Sequence, residues 1–117
     1  MNILIADDEK GLVEVLKDLL VKKGHTVVTA FDGSAALELI NQNQYDIAFL
    51  DFSMPEVTGL ELVERIKKLE HKTKTVVITA YPLMKDFLIQ QVGADEFLAK
   101  PFNFKEVEDI LRKYSNP

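Results

Sequence analysis

Five times along this chain a short apolar run gives way to a longer segment whose apolar residues recur every three or four positions. That alternation constrains the fold more than any other feature. The runs are "NILIA" (Asn2–Ala6), "HTVVTA" (His25–Ala30), "YDIAFLD" (Tyr45–Asp51), "KTVVITA" (Lys74–Ala80) and "EFLA" (Glu96–Ala99). Runs of this length with few polar interruptions are the pattern of strands covered on both faces.

The segments between them read as helices. In "LVEVLKDLLVKKG" Leu12, Val15, Leu16, Leu19 and Leu20 fall at helical spacing, and Gly24 ends the run. "DGSAALELINQN" is rich in helix formers, with Asp32 or Ser34 as its N-cap. "GLELVERIKKL" buries Leu62, Val63, Ile66 and Leu69. "PLMKDFLIQQVG" begins with Pro82 in its first turn and stops at Gly93, and its stripe Leu83, Met84, Phe87 and Leu88 is assigned to the core in preference to a partner face. "NFKEVEDILRKY" is capped by Asn103 and turns Val107, Ile110, Leu111 and Tyr114 inward.

Strand and helix alternating through short connections imply a parallel sheet with helices on both sides. The expected fold class is α/β, a (βα)5 doubly wound unit with a five-stranded parallel sheet, spanning residues 1–117 as one domain. A formal net charge of −5 argues against direct nucleic-acid binding, which needs a basic face. Without cysteine there are no disulfides, thiolate metal sites or thiol chemistry. "MNILIADD" has no basic stretch leading into a long apolar one, and no later segment nears the roughly 18 apolar residues that span a bilayer. No membrane association and a cytoplasmic location are expected.

In open parallel sheets, ligands bind beyond the carboxyl ends of the strands. There the first strand delivers Asp7 and Asp8, the third Asp51, the fourth Thr79, and the fifth Lys100 followed by Pro101. The second delivers Phe31 and Asp32, to which no chemistry is assigned. Asp51 stands out within "IAFLDFSMP", because an apolar strand ends on a carboxylate that is costly to bury unpaired. Taken singly, Asp7 and Asp8 read as caps of the first helix, Thr79 as a β-former and Lys100 as a loop residue. Taken together they form a complete phosphoryl-acceptor set. Clustered carboxylates repel unless a cation lies among them, and Mg²⁺ suits two or three Asp oxygens. One carboxylate can attack phosphorus, while the hydroxyl and the ammonium steady the transferring oxygens.

With "DDE" at Asp7–Glu9, "LDFSMPEVTG" around Asp51, "ITAY" at Thr79 and "KPF" at Lys100–Phe102, the whole chain resembles the receiver domain of two-component response regulators. The resemblance implies the sheet order 2-1-3-4-5. It implies Asp51 as phosphoacceptor, and Mg²⁺ held by Asp8, Asp51 and the backbone carbonyl of Ser53, with Asp7 acting largely through water. Lys100 would pair with the phosphoryl group and Thr79 would swing its hydroxyl toward it. Phe97 matches the aromatic whose packing reports activation, and Lys100–Pro101 matches a cis peptide bond. Thr58 stands where an acidic or amide residue is common. The Thr79–Gly93 segment is shorter than usual, so a displaced or frayed fourth helix is expected.

The partners so implied are a sensor histidine kinase or histidine phosphotransfer protein and an unknown downstream target. The face made by the fourth helix, fifth strand and fifth helix would carry the switch. The unit would promote its own phosphorylation and dephosphorylation. Because only "SNP" follows Tyr114, a stand-alone regulator is expected, the alternative being a receiver fragment of a longer regulator with an output domain. Partner docking would use the first helix, with Leu12, Val13 and Val15 as apolar contacts. The opposing assignment makes Leu12 and Val15 core and Val13 an isolated surface residue.

Three rivals fit less well. A flavodoxin-like cofactor binder needs a Ser/Thr/Gly-rich phosphate loop, where "ADDEKG" presents anions. A dehalogenase-type phosphatase needs a second Asp two residues past the nucleophile, where Ser53 stands. A degenerate, purely scaffolding receiver would not keep the full acidic, hydroxyl and lysine set.

Overall fold

The computed structural model describes residues 1–115, so Asn116 and Pro117, the end of the expected 1–117 unit, lie outside the described residues. Its strands are β1 (Asn2–Ala6), β2 (Thr26–Ala30), β3 (Ile47–Asp51), β4 (Lys74–Thr79) and β5 (Glu96–Ala99). They form one parallel sheet in the order β2-β1-β3-β4-β5, as the resemblance implied. The α-helices are α1 (Lys10–Lys22), α2 (Gly33–Gln42), α3 (Gly59–Lys68) and the C-terminal α4 (Phe104–Tyr114).

The two-residue period of the strands divides the core into two layers. Ile3, Ile5, Ile47, Phe49, Val76 and Ile78 face α1 and α4, where Val13, Leu16, Leu20 and Val107 meet them. The intervening Leu4, Ala6, Ala48, Leu50 and Val77 face α2 and α3, meeting Ala36, Ile40, Leu62 and Ile66. Each large aliphatic side chain so buried contributes about 1.5–3 kcal/mol of transfer free energy. A slip of one residue would exchange the two layers, so the register is firmly set.

Helix starts follow the expected chemistry with one exception. Asp32 accepts from the Ala35 amide at 2.7 Å, and Thr58 caps α3 by accepting from the Glu61 amide at 3.4 Å. Asn103 and Glu106 make a reciprocal capping box at the head of α4. Glu9, at the head of α1, makes no side-chain cap bond.

Two expectations are corrected. On α1 the buried seam is Val13, Leu16 and Leu20, whereas Val15 is 60% exposed. Val13 is thus core and Val15 surface, so neither the proposed contact trio nor the opposing assignment survives intact; Leu12 is half-buried. The fourth helical segment is irregular, in keeping with the frayed helix its short span implied, and the second correction concerns its apolar stripe. The segment is a short 3₁₀ turn, Pro82–Met84, followed by a π-helical stretch, Phe87–Val92, ending at Gly93 in the left-handed region (φ 85°). Only part of its apolar stripe reaches the core: Leu88 is fully buried, while Leu83 is 99% exposed. The wider π turn closes on the Gly93 amide, which donates to the Leu88 carbonyl, and the Ala94 amide donates to the same oxygen at 3.0 Å. Just beyond, Asp95 fixes the start of β5 by accepting from the Thr75 amide at 2.8 Å.

Candidate phosphoacceptor site

Register brings the site together. Ala6 pairs with Leu50 on one side and Ala30 on the other, while Thr79 pairs with Ala99. The next residues along, Asp7, Asp51 and Lys100, therefore lie together at the same carboxyl edge, Asp51 as the last residue of β3, opposite Ile78. One carboxylate oxygen from each of Asp7, Asp8 and Asp51 lies within 4.8 Å of the other two. Asp7 and Asp51 are buried, at 0% and 4% exposure, and Asp8 is open to solvent.

Lys100 reaches into this group from the end of β5. Its Nζ stands 3.0 Å from Asp7 Oδ2 and 3.7 Å from Asp51 Oδ1. Its backbone is pinned by donation from the Lys100 amide to the Thr79 carbonyl at 2.8 Å. Burial alone would lower the Lys100 ammonium, but its hydrogen bond to Glu9 and its close approach to Asp7, with the charges of Asp7 and Asp51, outweigh it. The ammonium is held above the ordinary lysine range. Asp51 is pushed the other way for a carboxyl. Burial first and the Asp7 charge second lift it to about 6, with Asp8 adding to the rise and Lys100 and the Ser53 amide opposing it.

The donor set suits a hard divalent cation. All three available ligands are carboxylate oxygens. Asp7 Oδ2 is buried and, among the described residues, has no hydrogen-bond donor, its approach to Lys100 being an ion pair. A buried anion with spare lone pairs is costly unless a cation meets it.

The remaining expected residues are placed as follows. Thr79 is buried beside the site, and its hydroxyl accepts from the Tyr81 amide at 3.0 Å rather than contacting the carboxylates. Ser53 is exposed in the loop after β3. Phe97 is half-buried opposite Val77, packed on the α2/α3 layer with the Lys85 ammonium 5.9 Å from its ring centroid. Lys100–Pro101 is cis.

Two contacts at the site go beyond the sequence motifs. Glu9 Oε1 lies 2.6 Å from Lys100 Nζ, closer than either aspartate. Gly33, at the start of α2, is pressed against the loop after Asp51 so tightly that a Cβ would lie 1.9 Å from the Val57 carbonyl oxygen. The third acid of "DDE" is the sequence signal for Glu9; nothing local pairs Gly33 with Val57.

A parallel five-stranded sheet with this acidic edge and its lysine defines a receiver-type phosphoacceptor fold. The chain belongs to the response regulator receiver domain family, whose model matches residues 3–112. It is 37% identical over 113 residues to the transcriptional regulatory protein TctD of Salmonella typhimurium, covering 96% of this chain and 50% of that protein. It is 31% identical over 116 residues to sporulation initiation phosphotransferase F of Bacillus subtilis, covering 97% of this chain and 92% of that one. Among solved structures, the response regulator TrrA from Thermotoga maritima in complex with Mg²⁺–BeF superimposes with a TM-score of 0.85 at 35% identity, covering 97% of both chains. The chain spans about half the length of several curated relatives it matches. Among the described residues no helix is long and apolar enough to cross a membrane.

Proposed function

We propose that this chain works as a cytoplasmic phosphorylation switch in which Asp51 takes a phosphoryl group from a phosphohistidine donor, a sensor histidine kinase or a histidine phosphotransfer protein. The observation that carries the reading is the convergence of Asp7, Asp8, Asp51 and Lys100 at one sheet edge, with Asp51 on the central strand. An Asp51 carboxylate oxygen attacks phosphorus as the phosphorus–nitrogen bond to the donor imidazole breaks, and the electron pair returns to the ring nitrogen. Lys100 balances charge on the transferring oxygens as a compact cation. Asp7, Asp8, Asp51 and the Ser53 carbonyl would hold Mg²⁺, which supplies Lewis-acid neutralisation of the phosphoryl oxygens when bound.

The added charge on Asp51 then competes for the Thr79 hydroxyl now engaged by Tyr81. Thr79 moving inward frees space along β4–β5 for Phe97, which biases the face formed by Phe87–Val92, β5 and α4. The output lies on a partner or on a further domain, as relatives of which this chain spans half suggest. Incubation with radiolabelled acetyl phosphate and Mg²⁺ should label the protein, and Asp51→Ala should abolish labelling. Unchanged labelling of the variant overturns the assignment.

A further inference from the structure

We propose that Glu9 is a latch that holds the Lys100 ammonium away from Asp51 until a phosphoryl group arrives. The inference rests on Asp51 as the phosphoacceptor. Lys100 Nζ is 2.6 Å from Glu9 Oε1, 3.0 Å from Asp7 Oδ2 and 3.7 Å from Asp51 Oδ1, so its nearest partner is not the residue to be modified. Glu9 occupies the N-cap of α1, where Ser, Thr, Asp or Asn would stabilise the helix. Its side chain makes no cap bond, and its amide instead donates to Asp7 Oδ1 at 2.9 Å. A long acid at this position serves Lys100 rather than the helix.

The geometry also fixes which contact yields first. Glu9 is 60% exposed and the Asp51 side chain 6%, so the latch sits on the solvent side of Lys100 and the acceptor on the inner side. Water screens the outer pair and weakens it, whereas a phosphoryl dianion on the buried carboxylate attracts the ammonium in a poorly screened setting. The Lys100 backbone is held by Thr79, so the transfer needs only torsions of its flexible four-carbon stem. Glu9 also lines a groove of about 370 Å³ with Leu12, Lys100, Pro101 and Phe102.

The test uses two variants with opposite logic. Glu9→Gln keeps the shape and removes the charge, while Glu9→Asp keeps the charge and withdraws it by one methylene. In crystal structures of both metal-free proteins, Lys100 Nζ should move to within hydrogen-bonding distance of Asp51. Affinity for beryllofluoride with Mg²⁺, measured by calorimetry, should rise about two- to fivefold in both, the range a half-exposed ion pair can supply. An unmoved Lys100 in Glu9→Gln, a weaker affinity, or wild-type behaviour of Glu9→Asp (charge alone repelling anions) would each overturn the latch. If the wild type binds beryllofluoride no better than Asp51→Asn, the phosphoacceptor reading has failed and the latch falls with it, whereas wild-type binding that exceeds Asp51→Asn with an unmoved Lys100 in Glu9→Gln overturns the latch alone.

Discussion

A Cβ on Gly59 would lie 2.5 Å from the carbonyl oxygen of Asp51, so the first residue of α3 rests directly on the backbone of the proposed phosphoacceptor. The neighbouring atoms are backbone and cannot step aside as a flexible side chain would. Gly59→Ala should destabilise the fold by about 1–3 kcal/mol, the usual cost of overpacking, and reduce labelling of Asp51. Denaturant unfolding with a parallel labelling assay measures both; wild-type stability would show that the contact relaxes freely.

Asp51 titrates near 6 in the folded protein against an ordinary 3.8. The folded state thus binds this proton more tightly than the unfolded chain does. Its favourable contribution is complete below about 3.8 and is lost as pH rises through about 6. Asp51→Asn cannot ionise, so it should gain about 1–3 kcal/mol over wild type at pH near 7.5 and nothing at pH near 4. Unfolding at the two pH values decides the matter, since an equal gain at both would assign the effect to shape.

Mg²⁺ should raise the melting temperature at neutral pH, because a ligand that binds only the folded state stabilises it by mass action. Protons compete for Asp51, so the rise should shrink as pH falls through about 6. Asp8→Asn should blunt the rise at every pH. A scanning-calorimetry series with and without the ion provides the check.

Leu12 is half-buried at the rim of the groove shared with Pro101 and Phe102. Leu12→Asp should slow transfer from a protein phosphohistidine donor severalfold and leave acetyl phosphate labelling unchanged. Equal loss with both donors would place the defect in the site rather than in docking.

Leu88 anchors the π-helical stretch at 0% exposure, while Leu83 beside it is 99% exposed. Leu88→Ala should cost about 2–5 kcal/mol. Leu83→Ala should fall within about 0.5 kcal/mol of wild type. Chemical denaturation of the pair would show whether this irregular segment is held by that one side chain.

Much of the fold and of the site's edge is legible in the amino-acid pattern. Asn2–Ala6 and Glu96–Ala99 form strands with the boundaries their apolar runs suggest. Asp7, Asp51 and Lys100 stand at the expected edge, because the polar residue that ends each apolar run marks the carboxyl end of its strand. On α1 the pattern is ambiguous. Leu12, Val13, Val15, Leu16, Leu19 and Leu20 make an apolar stripe wider than one helix can bury, and either phase satisfies the helical period. Docking against the sheet selects Val13, Leu16 and Leu20.

The chain's own pattern determined the succession of strands and helices, the parallel sheet and the acidic edge, since period and side-chain chemistry act over a few neighbouring residues. Tertiary structure alone decided the rest. Glu9 and Lys100 are 91 positions apart, and their 2.6 Å contact exists only because β1 and β5 end at the same rim. The same holds for Gly33 against Val57 and for the π turn around Leu88. Each depends on where distant elements are set by packing in three dimensions, and no local propensity encodes that distance.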